Sequence, residues 1–130
     1  MNTKLIEDCA NLFRLLEDMP LEIKVDTLNK LRLELSKHSP FKGEPVDLVQ
    51  WKLSEKVMAN TYNPNTVAPP EMKLLETSIL QDGFTQPIVS WGNDEAFTVV
   101  DGFHRHRVGK ESSEVNTRIH GYLPLVVINQ

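Results

Sequence analysis

Apolar residues recur along the first forty positions at helical spacing. Leu5, Cys9, Leu12, Leu16 and Met19 stand three or four apart, and Ile6 and Phe13 widen the stripe. Asn2 or Thr3 offers a short side-chain oxygen able to cap the start. Pro20 ends this run or opens the next at a first-turn position. Leu21, Val25, Leu28, Leu31 and Leu35 form a second run that stops before Ser39-Pro40, because the residue ahead of a proline is pushed out of helical geometry. The pattern predicts an N-terminal helical hairpin over 1–42, each helix carrying an apolar stripe in need of a partner surface. Phe41-Lys42-Gly43-Glu44-Pro45 reads as the linker to a second unit, 46–130.

Beyond the linker the period changes to two. Val49, Trp51 and Leu53 alternate with Gln50 and Lys52, as in a half-buried strand. Asn60-Thr61-Tyr62-Asn63-Pro64-Asn65 is a loop by its asparagines and proline. Pro69-Pro70-Glu71 opens a third helix through Leu74, Leu75 and Ile79, and Asp82-Gly83 closes it. Pro87-Ile88-Val89-Ser90-Trp91 and Ala96-Phe97-Thr98-Val99-Val100 read as a strand hairpin about the turn Gly92-Asn93-Asp94-Glu95. A basic segment from Phe103 to Lys110 follows, Ser112-Ser113 reads as a solvated loop, and Leu123, Leu125, Val126, Val127 and Ile128 form a last strand. The class is α+β, with a small mixed sheet and packed helices.

Composition narrows the function. At 130 residues, 40% hydrophobic and 25% charged, the chain buries a core without disulfide or metal staples. Cys9 is the single cysteine, which removes a disulfide framework and a cysteine-rich zinc site; on the apolar face of the first helix its default is an inert core thiol. No apolar run is long enough to span a membrane and Met1-Asn2-Thr3-Lys4 does not open a secretory signal, so the expected location is the cytoplasm. Residues 1–59 carry 9 basic and 10 acidic side chains, whereas 60–130 carry 5 and 8. Three of those five, Arg105, Arg107 and Lys110, fall close together. A general nucleic-acid binder spreads its basic face widely, because affinity follows the number of phosphates neutralised. One compact cluster on an acidic chain suits a small phosphorylated ligand better.

The chemistry concentrates in Val99-Val100-Asp101-Gly102-Phe103-His104-Arg105-His106-Arg107. A strand running through Asp-Gly into a helix start leaves backbone N–H groups unpaired, and these with the helix dipole favour phosphate oxygens. Glycine allows close approach, Arg105 offers a planar two-point grip, and His104 donates or shuttles a proton near neutral pH. The competing reading is ordinary strand-to-helix architecture with solvated cations, since no Walker lysine or triple-glycine fingerprint is present. His104, His106, His38, His120 and Asp101 lack helical ligand spacing, so no metal site is expected. Glu71 and Glu76 read as helix surface charges rather than an acid–base pair.

Two motifs carry a family resemblance across residues 47–125: Gly83-Phe84-Thr85-Gln86-Pro87-Ile88 at a strand entry and, after the hairpin, Gly102-Phe103-His104-Arg105. Together they resemble the ParB/sulfiredoxin superfamily, whose G-x-x-R turn binds nucleotide phosphates. The wording Asp101-Gly102-Phe103-His104-Arg105, with Tyr62-Asn63-Pro64-Asn65 and the leading helices, is most similar to IbrB-type prophage co-activators of gene expression.

The resemblance implies a ParB/sulfiredoxin-like domain preceded by the helical hairpin, and a nucleotide-binding regulatory role in transcription. It implies a phosphate and nucleotide site at Gly102, Phe103, His104, Arg105 and Arg107, with Gly83, Thr85, Gln86, Pro87 and Asn63 alongside. The implied ligand is of the ATP or CTP class, with Mg²⁺ as a candidate companion. The implied partner is an IbrA-like protein similar to phosphoadenosine-phosphosulfate reductases; a homodimer and weak or indirect DNA contact are further candidates.

Phe103 stands where sulfiredoxins place their nucleophilic cysteine, which excludes sulfinate repair. Four of five turn positions agree with the free-serine-kinase branch, so an ATP- or ADP-dependent phosphotransferase or nucleotide hydrolase is the alternative, with Asp101, His104 and Glu71 as candidate catalytic groups. That branch takes a glutamate from the loop before the third helix, and residues 57–70 hold no carboxylate. A DNA-binding protein or nuclease is the third reading; clustered carboxylates and a recognition helix are both missing from the sequence.

Overall fold

The computed structural model describes residues 2–59, 69–92 and 95–128. The first stripe forms α1, Asn2–Phe13, which tightens into a 3₁₀ turn at Arg14–Leu16. Pro20 caps α2, Leu21–Lys37, which stops where the serine-proline step requires. The third helix is α3, Pro69–Asp82. It ends at Gly83, whose φ of +79° is the left-handed conformation that glycine adopts without strain.

Five strands make one sheet: β1 Gln50–Leu53, β2 Val57–Met58, β3 Ile88–Gly92, β4 Phe97–Asp101 and β5 Tyr122–Ile128. Their order is β1-β5-β3-β4-β2. β3 and β4 form the expected antiparallel pair, with a register shift between Val89 and Ser90. β5 lies parallel to β3 and antiparallel to β1, and β2 lies parallel to β4. Only the short turn Ser54–Lys56 separates β1 from β2, yet they occupy opposite ends of this order. The sheet therefore curls until its two edges approach. Lys52 of β1 accordingly sits 5.7 Å from the ring centre of Phe97 on β4.

Side chains at alternate positions fill the inside of the curl. Val57, Ile88, Phe97, Val99, Leu123 and Leu125 form one buried cluster, joined by Phe84 and Phe103. Ile79, Val108 and Val115 form a second under α3 and the two helices after the hairpin, α4 (Phe103–Glu111) and α5 (Ser113–Arg118). Gly109 joins the two clusters: a Cβ there would stand 2.4 Å from Leu123 Cδ2 and 3.3 Å from Phe84 Cζ. α2 lies against β1, and its buried Asn29 bonds both backbone groups of Trp51, accepting from its N–H at 2.9 Å and donating to its C=O at 2.7 Å.

Three expectations are corrected. Ser112-Ser113 is not a solvated loop: the Ser112 hydroxyl caps α5 by accepting from Val115 N–H, and it donates to Glu76 on α3. Glu76 is therefore a tie between helices rather than a plain surface charge, and hydrogen bonds from Ser112 and then Lys73 hold its carboxyl below the usual range. Cys9 is not in either core. It lies half-buried on α1, a helix that buries none of its residues.

Candidate functional site

Gly102 lies at the join between β4 and α4 with φ +88°, ψ 31°, a left-handed turn that lets the chain pivot directly from strand to helix. A Cβ at this position would stand 3.3 Å from Ile88 Cα. The two motifs meet here, because Ile88 ends one and Gly102 opens the other, with Val89 paired to Asp101 across the hairpin. Thr85 and Gln86 are exposed and Pro87 half-buried on the approach to that contact. Gly83 serves the end of α3 instead, where Arg118 of α5 donates to the carbonyls of Ile79 and Leu80 at 3.1 and 2.6 Å.

The first turn of α4 contains Phe103, His104 and Arg105 and no acidic residue. Their N–H groups have no carbonyl one turn back within the helix. Gly102 N–H is held by Asp101 Oδ1 at 2.9 Å, which fixes the turn and places a carboxylate beside the helix start. Phe103 faces the main core. His104 and Arg105 are half-buried, and among the described residues neither side chain has a hydrogen-bond or ion-pair partner. A half-buried guanidinium with no ion-pair partner among the described residues, at the positive end of a helix, favours an incoming anion.

The helix divides the rest of the basic cluster. Positions two apart point in different directions, and Arg107 turns to Glu111, at 3.3 Å, on the solvent side. Lys110 donates to Val57 C=O at 3.2 Å. Of the compact cluster read from the sequence, Arg105 alone remains uncommitted. Sequence patterning also misses His106, which is buried with Nε2 at 3.0 Å from the same Val57 carbonyl. A carbonyl only accepts, so Nε2 carries the hydrogen and Nδ1 is bare. Its helical offset of four from Lys110 was the available signal.

His106 supplies a pH dependence. Burial, more than any other cause, pushes its pKa below the ordinary histidine value; the nearby Lys110 charge acts in the same direction, while the Val57 bond opposes. An imidazole harder to protonate when folded lets the unfolded chain bind the extra proton first. Stability is then complete above about pH 6.5 and falls as pH drops through that value. Denaturant midpoints between pH 7.5 and about 5.5 should decline for the wild type, and His106→Gln should flatten that slope. Equal slopes in the two proteins would contradict the assignment.

Glu71 is exposed in the first turn of α3, away from any described partner that would make it a base. Asn63 and the 60–65 loop lie outside the described residues. No group of three or more His, Cys, Asp or Glu side chains gathers among the described residues. Nor is any described helix long and apolar enough to cross a membrane.

This is the ParB/sulfiredoxin-like fold. A C-terminally truncated chromosome-partitioning protein ParB from Caulobacter crescentus, complexed with CTP-gamma-S, aligns with a TM-score of 0.52 and 20% identity over 63% of this chain and 44% of that one. Sulfiredoxin from Arabidopsis thaliana aligns with a TM-score of 0.50 and 17% identity, over 64% and 86%. In sequence, the chain is similar to the uncharacterized protein YbdM of Escherichia coli (strain K12), 46% identical over 129 residues. That match takes in 98% of this chain, which spans 60% of the relative's length. No protein-family model matches.

Proposed function

We propose that this chain is a nucleotide-binding regulatory module whose phosphate site is the Gly102 turn and the first turn of α4. One observation carries the reading: Arg105, half-buried at a helix start and without a described counter-charge. The N–H groups of α4 and the Arg105 fork would hold phosphate oxygens, and His104 would donate a further bond. Thr85, Gln86 and Pro87, delivered beside Gly102 by the Ile88 contact, would face the sugar or base. Asp101 would repel a bare phosphate, so the arrangement fits a nucleotide whose Mg²⁺ shares that carboxylate with the phosphates. The ParB neighbour's CTP analogue supports a nucleotide of the CTP or ATP class. A role in prophage transcription beside an IbrA-like partner, in the manner of IbrB-type proteins, is the finer form of the proposal. Direct DNA recognition is the weaker one, given the acidic balance of the chain.

Calorimetric titration with ATP, ADP, CTP and GTP, each with and without Mg²⁺, tests this directly. One nucleotide should bind, more tightly with Mg²⁺. Arg105→Ala should weaken it by about 1.5–3 kcal/mol, the range for a charge-assisted bond. Unchanged affinity in that variant removes the site assignment. Steady phosphate release that also depends on Arg105 would move the reading to the phosphotransferase or hydrolase class.

A further inference from the structure

Two surfaces of this chain are open, and each has the chemistry the other lacks. The first is the apolar stripe of α1. Leu5, Ile6, Leu12 and Phe13 are 63%, 65%, 63% and 48% exposed, and no residue of the helix is buried. The second is a groove of about 650 Å³ between the end of α2 and β1, walled by Leu35, Phe41, Val46, Val49 and Trp51. It continues past Arg32 and Trp51 into a smaller hollow of about 250 Å³ floored by Tyr122. His38 lines the groove, Arg118 and His120 line the hollow, and Arg32 stands where the two meet. Asp47 is the one carboxylate among the described lining residues and already accepts from Ser36 Oγ at 2.8 Å, while Glu22 and Asp26 of α2 stand near Tyr122, Asp26 being paired to Lys30.

The charges are complementary. Residues 2–18 hold Glu7, Asp8, Glu17 and Asp18 against Lys4 and Arg14, with Asp8 already paired to Lys4 at 3.4 Å. A helix with an exposed apolar stripe and a net negative charge therefore faces solvent on the same chain that offers an apolar groove with Arg32 and Arg118 along it. The corner between Arg14 and Pro20 leaves α1 buried against nothing of its own chain, whereas the groove on a second copy is open to it.

We propose that α1 of one copy seats in the α2–β1 groove of another, reciprocally, to form a two-fold dimer by helix exchange. Exposed apolar side chains and an apolar groove both gain from leaving water. Symmetry doubles the contact, and two helices of about 18 Å each bring the buried area into the range of about 1,200–2,000 Å² typical of specific interfaces.

Light scattering of the full chain should show a dimer that dissociates on dilution. Leu12→Glu on α1 and Leu35→Glu in the groove both change exposed positions, so circular dichroism should show each variant folded. Each should raise the dimer dissociation constant at least about a hundredfold, because a carboxylate would be forced into apolar contact. Mixing the two decides the geometry. The first variant keeps a sound groove and the second a sound α1, so an equimolar mixture should form heterodimers although neither variant associates alone. Failure of that rescue overturns the proposal, and so does a Leu35→Glu variant that stays dimeric while Leu12→Glu does not, which would mean that α1 pairs with α1. A wild type that stays monomeric overturns it too; quenching of Trp51 by oligothymidylate in that monomer would give the groove to single-stranded nucleic acid.

Discussion

Phe97→Ala is expected to lower the unfolding free energy by about 3–5 kcal/mol, the range for truncating a buried aromatic side chain. Phe97 is 2% exposed and is the largest of the fully buried side chains. Its position multiplies the loss. It pairs with Val57 on β2 and with Gly92 on β3, so it holds the strand that brings the far edge of the curled sheet into place. The ammonium of Lys52 stands over its ring from the opposite edge, 5.7 Å from the ring centre. A cavity at this point leaves two-residue β2 without its main apolar partner, and neighbouring backbone cannot easily collapse into the gap. Urea or thermal unfolding at pH 7.5 checks the value; for a chain of this size the midpoint should fall by roughly 10 °C or more. A loss below about 1 kcal/mol would mean that the curl does not depend on Phe97.

Much of this architecture is legible in the sequence, and the reasons are local. Ser39-Pro40 stops α2, Gly83 stops α3, and the β3–β4 hairpin follows from two alternating runs around a turn-rich segment. The site is legible to the same depth. What reads directly is the local frame, a strand, Asp101-Gly102 and a basic helix start, and the structure puts a left-handed glycine and an Arg105 without a described ion-pair partner in it; phosphate binding belongs to the proposal.

What stays hidden is what distance in sequence conceals. β2 has two residues, too few for any period, and is a strand only because β4 accepts it. α5 has Val115 as its one buried residue, and its start depends on a serine that also serves Glu76, 36 positions away. The basic cluster looks like one feature in a line of letters. On a helix, Arg105, Arg107 and Lys110 diverge, and two of them meet partners: Glu111 one turn on, and Val57 on β2, far back in the sequence. Nor does the pattern of α1 distinguish a stripe covered within the chain from one awaiting a second molecule. Both are written with the same leucines.

Asn29→Ala is expected to have the next largest effect, about 2–5 kcal/mol, although it removes only a carboxamide. Trp51 lies opposite Pro124 in the β1–β5 ladder, and its own N–H and C=O turn to the outer edge, where they meet Asn29. Asn29 is 6% exposed and both of its bonds to Trp51 are partly buried. Deleting the side chain strands both, at about 1–3 kcal/mol each when water cannot replace the partner. If α2 lifts instead, water satisfies the edge but the packing of α2 over Tyr122 is given up, so the loss appears by either route. Burial raises the Tyr122 hydroxyl pKa above its ordinary value, with Glu22 and Asp26 of α2 adding to the effect. Asn29→Asp separates the two bonds: it keeps an acceptor for Trp51 N–H but sets a carboxylate against Trp51 C=O. That variant should be destabilised at neutral pH and partly recover as the carboxyl is protonated, since a neutral acid donates where the amide did. Amide exchange at Trp51 gives the local readout. Rapid exchange in Asn29→Ala with the β3–β4 amides still protected would identify Asn29 as the clamp between the N-terminal helices and the sheet. Unchanged protection at Trp51 would show that β1 holds its edge without the clamp.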